Sequence, residues 1–103
     1  MILNKPKRKQ DEDLLNQIRA KPCAVCGRRP VDPAHIKSRG SGGPDTVDNV
    51  VPLCRQHHSE QHQKGFAWMM RNYSLFYFEM RNLGWSVIER FGEERLHHPR
   101  LMP

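Results

Sequence analysis

PCAVCGRRP at residues 22–30 and PLCRQHH at residues 52–58 carry the feature that most constrains this chain: a C-x-x-C step followed later by a C-x-x-H step. Cys23 and Cys26, with Gly27 after them, suit a tight turn that points both sulfurs at one ion. The step from Cys54 to His57 repeats that spacing. Three thiolates and one imidazole make a mixed tetrahedral set of the kind zinc accepts. Four protein ligands leave no open position for substrate, so Cys23, Cys26, Cys54 and His57 are read as a structural zinc site. The alternative, three unrelated buried cysteines, fits the repeated spacing poorly. Three cysteines are an odd number and do not close into disulfides, which favours a reducing compartment such as a cytoplasm.

A staple of this sort suits a small chain. The sequence has 103 residues, of which 37% are hydrophobic, so one domain with a modest core is expected. No apolar run is long enough to span a membrane, and MILNKPKRKQ lacks the apolar centre of a signal peptide. The formal net charge is +6 with the histidines neutral. Many soluble proteins are basic, but the distribution here points to a polyanion, nucleic acid first. Lys5, Lys7, Arg8 and Lys9 form a basic arm over residues 1–10, and Arg28, Arg29, Lys37 and Arg39 surround the ligand candidates. Arg55 and Lys64 add to the set expected to meet phosphates.

The single domain is expected over residues 11–103. Residues 11–21 read as a short helix with an acidic start and an apolar stripe of Leu14, Leu15 and Ile18, stopped by Pro22. Residues 31–36 and 49–53 read as two strands that return antiparallel across a Gly-rich loop at 38–48. Residues 55–64 read as a polar helix ended by Gly65. Phe66, Met69, Met70, Tyr73, Phe76, Tyr77, Met80 and Leu83 then recur at helical steps, with a break near 72–74. That face is read as core packed over the metal-bound module, in a helical packing segment at 66–103. Ser86 and Glu89 match a capping box, although WSVIER suits a strand equally. The tail LHHPRLMP reads as loop, with His97 and His98 exposed.

With His57 committed to the zinc site, His58 points elsewhere. His58 and His62 lie one helical turn apart and can share an ion. Taken alone they are equally well an exposed polar pair. The residue after His58 is Ser59, which rules against a metalloprotease H-E-x-x-H. His35, on the first strand, adds a third imidazole. A strand–loop–strand–helix unit stapled by zinc can bring the three together. A neutral imidazole facing a two-histidine metal site has what phosphodiester hydrolysis needs: a proton acceptor for water and a cation for the phosphate charge.

AHIKSRGSGG, DNVVPLCRQHH and the upstream C-x-x-C resemble the HNH nucleases, whose fold is called ββα-metal. The resemblance runs from residue 23 to about 65, under half the chain. The order His, Asn, His is held by His35, Asn49 and His58, and His62 matches the second helix histidine of the bacterial-toxin DNases. Zinc-stapled members carry a second C-x-x-C directly before the last histidine; here His57 stands in place of its second cysteine. More narrowly, the chain is similar to small nucleases of bacteriophages and prophages.

The resemblance implies an α+β fold with a zinc-stapled, treble-clef-like ββα-metal core at 23–65, flanked by an N-terminal helix and C-terminal helices. It implies a metal-dependent endonuclease that cuts DNA to leave 5′-phosphate and 3′-hydroxyl ends. His35 would be the general base. Asn49 would fix the loop and orient His35, or touch the metal. His58 and His62 would hold the catalytic ion. One departure stands out: many members place a metal ligand immediately before the general base, where this chain has Ala34. Asp32 and Asp45 are candidates to replace it. Two imidazoles suit Mn²⁺, Ni²⁺ or Zn²⁺ better than Mg²⁺. Rival readings are a non-catalytic zinc module that binds nucleic acid and an accessory protein of a phage machine. Neither requires His35, His58 and His62 together. A homodimer, or pairing with other DNA-processing proteins, is left open, and no base-reading motif is present.

Overall fold

The computed structural model describes residues 10–103, so Lys5, Lys7, Arg8 and Lys9 lie outside the described residues. Asp11 caps helix α1 (Glu12–Arg19), its side chain accepting from the Leu14 N–H at 3.1 Å. Glu12 and Asp13 complement the helix dipole at that end. Leu15 and Ile18 pack against Val50. The helix stops short of the expected residue 21, because the residue before Pro22 is pushed out of helical geometry.

Strands β1 (Val31–His35) and β2 (Val50–Cys54) pair antiparallel, with Val31 facing Cys54 and His35 facing Val50. Pro33 lies opposite Pro52. Neither has an N–H, so the two prolines share a rung that needs no cross-strand bond. On the outer edge of β2 the Ala24 N–H donates to the Pro52 carbonyl at 2.9 Å, which docks the cysteine turn on the hairpin. Every residue of β2 is buried. Val50 joins α1, while Val51, Leu53 and Cys54 join the main core.

The loop between the strands is ordered by two short-range devices. Asn49 has no exposed surface; its Oδ1 accepts from the Lys37 N–H at 2.8 Å, and its Nδ2 donates to the carbonyls of Lys37 and Pro44 at 3.0 and 2.9 Å. Gly43 packs against the same backbone: a Cβ there would fall 1.7 Å from the Lys37 carbonyl oxygen. Between them the loop makes a 3₁₀ turn at Arg39–Ser41.

Helix α2 (Arg55–Lys64) follows β2 directly and ends at Gly65, whose φ of 87° breaks it. It contributes no buried residue. Helices α3 (Phe66–Asn72) and α4 (Ser74–Asn82) come next, broken at Tyr73, where the backbone turns extended. Phe66, Met69, Met70, Phe76 and Met80 enter one core with Val51, Leu53 and Trp85. The apolar face of 66–83 is therefore core as its spacing predicts, except at Tyr77, which is exposed.

The chain's last part corrects two expectations. The segment 66–103 is not helical throughout: β3 (Ser86–Arg90) and β4 (Glu93–His97) form a second antiparallel hairpin. Ser86 caps no helix; its hydroxyl lies 3.5 Å from His97 Nδ1 across the strands. The β-branched pair Val87 and Ile88 and a two-residue turn at Phe91-Gly92, both with positive φ, decide for strand. His98 is not exposed either, at 4%. Its Nε2 donates to the Leu83 carbonyl at 3.0 Å, and its Nδ1 accepts from the N–H groups of Arg100 and Leu101, both at 3.2 Å. Among the described residues the architecture is α+β, with four helices and two antiparallel hairpins.

Candidate metal centre and adjoining cleft

The cysteine turn, the end of β2 and the first turn of α2 converge on one point. The ligand atoms of Cys23, Cys26, Cys54 and His57 all lie within 4.8 Å of one another. Cys26 Sγ is 3.8 Å from Cys54 Sγ, Cys54 Sγ is 3.3 Å from His57 Nδ1, and Cys23 Sγ is 3.8 Å from the same nitrogen. Zinc–sulfur bonds of about 2.3 Å and zinc–nitrogen bonds of about 2.0 Å at tetrahedral angles imply edges of about 3.8 and 3.5 Å. The three distances given lie within a few tenths of an ångström of those edges, and the four donors are close enough together to hold one metal ion. A disulfide would need sulfurs about 2 Å apart, and all three cysteines are free.

Local backbone favours the thiolate at this point. Burial raises the Cys23 thiol, but the N–H groups of Cys54, Cys26 and Val25 and the His57 ring outweigh it and bring it down to about 6. Burial raises the Cys54 thiol, and the neighbouring Cys26 and Cys23 sulfurs raise it further against the His57 N–H. A shared cation relieves that crowding, since thiolates are the form a metal takes. Tyr73 packs edge-on against His57 at 5.4 Å between centroids and donates to Glu60. With no buried residue of its own, α2 is placed by this cluster and by these contacts.

One residue past His57 the helix turns a different face. His58 and His62 lie 4.8 Å apart between ring centroids. They share a cleft of about 460 Å³ with Pro33, His35, Ser38, Arg39, Gln61 and Phe66. The structure thus brings His35 to the same opening as His58 and His62. His58 Nδ1 is 3.5 Å from Asp32 Oδ2, which also lies 3.5 Å from Arg55 Nε. Among the described residues, the Cys23, Cys26, Cys54 and His57 group is the one set of three or more such ligands that closes on a single point. His58 and His62 stand as a pair.

His35 is engaged from the loop side. Its Nε2 is 2.6 Å from Asp45 Oδ1, and the two side chains are 13% and 7% exposed. Arg39 Nη2 lies 3.3 Å from both Asp45 oxygens, and the Asp11 N–H donates to Oδ2 at 3.0 Å. Burial raises Asp45, but the His35 bond, the Asp11 N–H and the Arg39 charge outweigh it and hold the carboxyl below its ordinary range. Asn49 is fully used by the loop backbone, which leaves neither polar atom for an ion.

The basic candidates divide. Arg39 lines the histidine cleft and a second hollow beyond His35, shared with Arg19 and Gln10. Arg55 is largely exposed beside Asp32. Lys37 lines a separate groove with Phe66, Arg90 and Arg95. Lys64 Nζ sits 4.2 Å over the Trp68 ring. Lys7, Arg8 and Lys9 lie outside the described residues. Two partners have no signature in the sequence: Asp45 for His35 and Asp32 for His58. Asp45 lies in the polar loop and Asp32 on β1, and only the loop path and strand register show which ring each meets.

Among the described residues no helix is long and apolar enough to cross a membrane. In comparison with known proteins, the family described as "Protein of unknown function (DUF968)" matches residues 1–87. That span holds every cluster and cleft residue and ends before β4. The uncharacterized protein YdfU of Escherichia coli (strain K12) is 40% identical over 71 residues, which is 66% of this chain and 20% of the relative. The chain therefore spans about a fifth of that relative's length. No solved structure matches. With residues 1–87 of 103 matched, the chain belongs to the DUF968 family.

Proposed function

We propose that this chain is a metal-dependent endonuclease of the HNH type, cutting DNA phosphodiester bonds in the cleft between β1 and α2. The observation that carries the reading is the shared opening of His35, His58 and His62, one peptide step from the Cys23, Cys26, Cys54 and His57 cluster. The cysteine turn, the β1–β2 hairpin and α2 in that order support a treble-clef-like ββα-metal core. The tetrahedral edges and soft donors of the cluster support structural zinc. Free thiols in a chain that uses them this way suit a cytoplasm.

The chemistry follows from the side chains. His35 takes a proton from water, and the resulting hydroxide adds to phosphorus in line with the O3′ leaving group. The P–O3′ bond breaks, O3′ takes a proton from solvent, and the products are a 5′-phosphate and a 3′-hydroxyl. His58 and His62 fit a divalent ion of the Mn²⁺, Ni²⁺ or Zn²⁺ class, which would supply positive charge to the phosphate and the leaving oxygen. Asp32 engages His58 through Nδ1, so Nε2 is the nitrogen left for that ion. Ala34 is 1% exposed and offers no ligand, so the site relies on two imidazoles. Arg39 at the rim, with Arg19 beyond His35, suits the flanking phosphates.

Cleavage of single- and double-stranded DNA with Mn²⁺ or Ni²⁺ tests the reading. The unsubstituted protein should cut, and His35→Ala should lose at least about 100-fold in rate. Equal cutting by both, or no cutting of any DNA with either ion, overturns it in favour of a zinc module that only binds.

A further inference from the structure

We propose that Asp45 is a positioning residue for His35, fixing which ring nitrogen serves as the base; this rests on the nuclease reading above. A carboxylate only accepts hydrogen bonds. The 2.6 Å contact from His35 Nε2 to Asp45 Oδ1 therefore places the ring proton on Nε2 and leaves the Nδ1 lone pair free. Arg39 Nε lies 3.3 Å from the same Nε2. It cannot donate to a nitrogen that already carries a proton, so the shorter, charge-assisted bond decides the tautomer. Arg39 acts instead through Asp45, with Nη2 at 3.3 Å from both oxygens.

The placement is built, not incidental. Asp45 is in a loop ten residues after His35 and returns to it because Asn49 ties Lys37 to Pro44 and Gly43 packs on the Lys37 carbonyl. Four donor contacts hold the carboxylate: His35, Arg39 on both oxygens, and the Asp11 N–H. When Nδ1 takes the proton from water, the imidazolium that forms faces a buried negative charge already in position. Asp45 is thus no replacement for the ligand missing at Ala34.

A double-substitution cycle tests this in Mn²⁺-dependent cleavage. Asp45→Asn should lower kcat about 10- to 100-fold with KM within about twofold. Asp45→Glu should regain part of that loss. In a His35→Ala background Asp45→Asn should cost nothing further. A purely structural Asp45 gives the same loss in both backgrounds, and that result overturns the proposal. A long-range ¹H–¹⁵N spectrum of the histidines gives a second measure that needs no cleavage. His35 should appear as the Nε2–H tautomer, and mixed or Nδ1–H character in the unsubstituted protein also overturns the proposal. If the protein cuts no DNA, the nuclease reading fails, and the tautomer alone decides whether Asp45 sets the ring.

Discussion

The Trp85 indole N–H donates to the Asp48 carbonyl oxygen at 2.6 Å, across 37 residues of sequence. Trp85 has no exposed surface, and His98 lies against its ring at 4.8 Å between centroids. Asp48 in turn receives Arg100 on its carboxylate. The loop leading into β2 is thereby fastened to the end of the chain. Trp85→Phe keeps an aromatic ring but leaves that carbonyl without its donor. It should cost about 1–3 kcal/mol in urea unfolding, and Trp85→Ala about 3–5 kcal/mol. A Trp85→Phe midpoint matching the unsubstituted protein would remove the bond from the account.

Acid should unfold the protein through two aspartates. Asp45 is held low for the reasons given above. Burial raises Asp48, but the Thr46 hydroxyl, the Arg100 charge, its own N–H and His98 outweigh it. In the acid range the unfolded chain therefore binds more protons than the folded one, so stability falls as pH falls. The contribution is fully present above the unfolded value of about 3.9 and is lost as pH drops through the folded values. Asp48→Asn should flatten the stability-versus-pH curve below about pH 4, measured by denaturant midpoints. An unchanged acid slope would contradict it.

The two halves of the His57-His58 pair should separate on substitution. His58→Ala should leave a folded protein with a single tightly held zinc, measured by elemental analysis after dialysis. Cys54→Ala should lose that zinc and, with it, the helical signal of α2, because nothing buried holds the helix otherwise. Identical metal content in the two variants would mean that the sites are not distinct.

Phe91 turns the second hairpin with φ of 55° and is 96% exposed. A bulky residue in the left-handed region is strained, and its ring packs on nothing that compensates. Phe91→Asn, giving Asn-Gly in the turn, should raise stability by about 0.5–1 kcal/mol. Thermal unfolding reads the change, and a lower midpoint would show that the ring makes a contact worth more than the strain.

Much of the fold is legible because its signals are local. Cys23, Cys26, Cys54 and His57 announce themselves by spacing, and that spacing fixes the turn, the end of β2 and the start of α2. The break at Tyr73 and the stop at Gly65 are equally visible. The second hairpin is less so, since Ser86 and Glu89 have a helix-cap spacing while Val87 and Ile88 favour strand. The two-residue turn at Phe91-Gly92 and the pairing of Val87 with Leu96 across it settle the matter. His98 is obscured because its partners are backbone groups at Leu83, Arg100 and Leu101. At the cleft, the histidines were readable and their carboxylate partners were not. Asp45 reaches His35 only through a loop whose path depends on Asn49 and Gly43.

Helix α2 adds no side chain to the interior. Its residues meet the cluster at His57, the cleft at His58, Gln61 and His62, and Tyr73 at Glu60, while most of the others face solvent, so few of them are constrained by core packing. Such a helix is open to rewriting: its outward residues can be exchanged for a different charge pattern, or for a different pair of ligands, without disturbing the core beneath. The scaffold and the working surface can then change at different rates, the first bound by packing and the second by what the cleft is asked to hold.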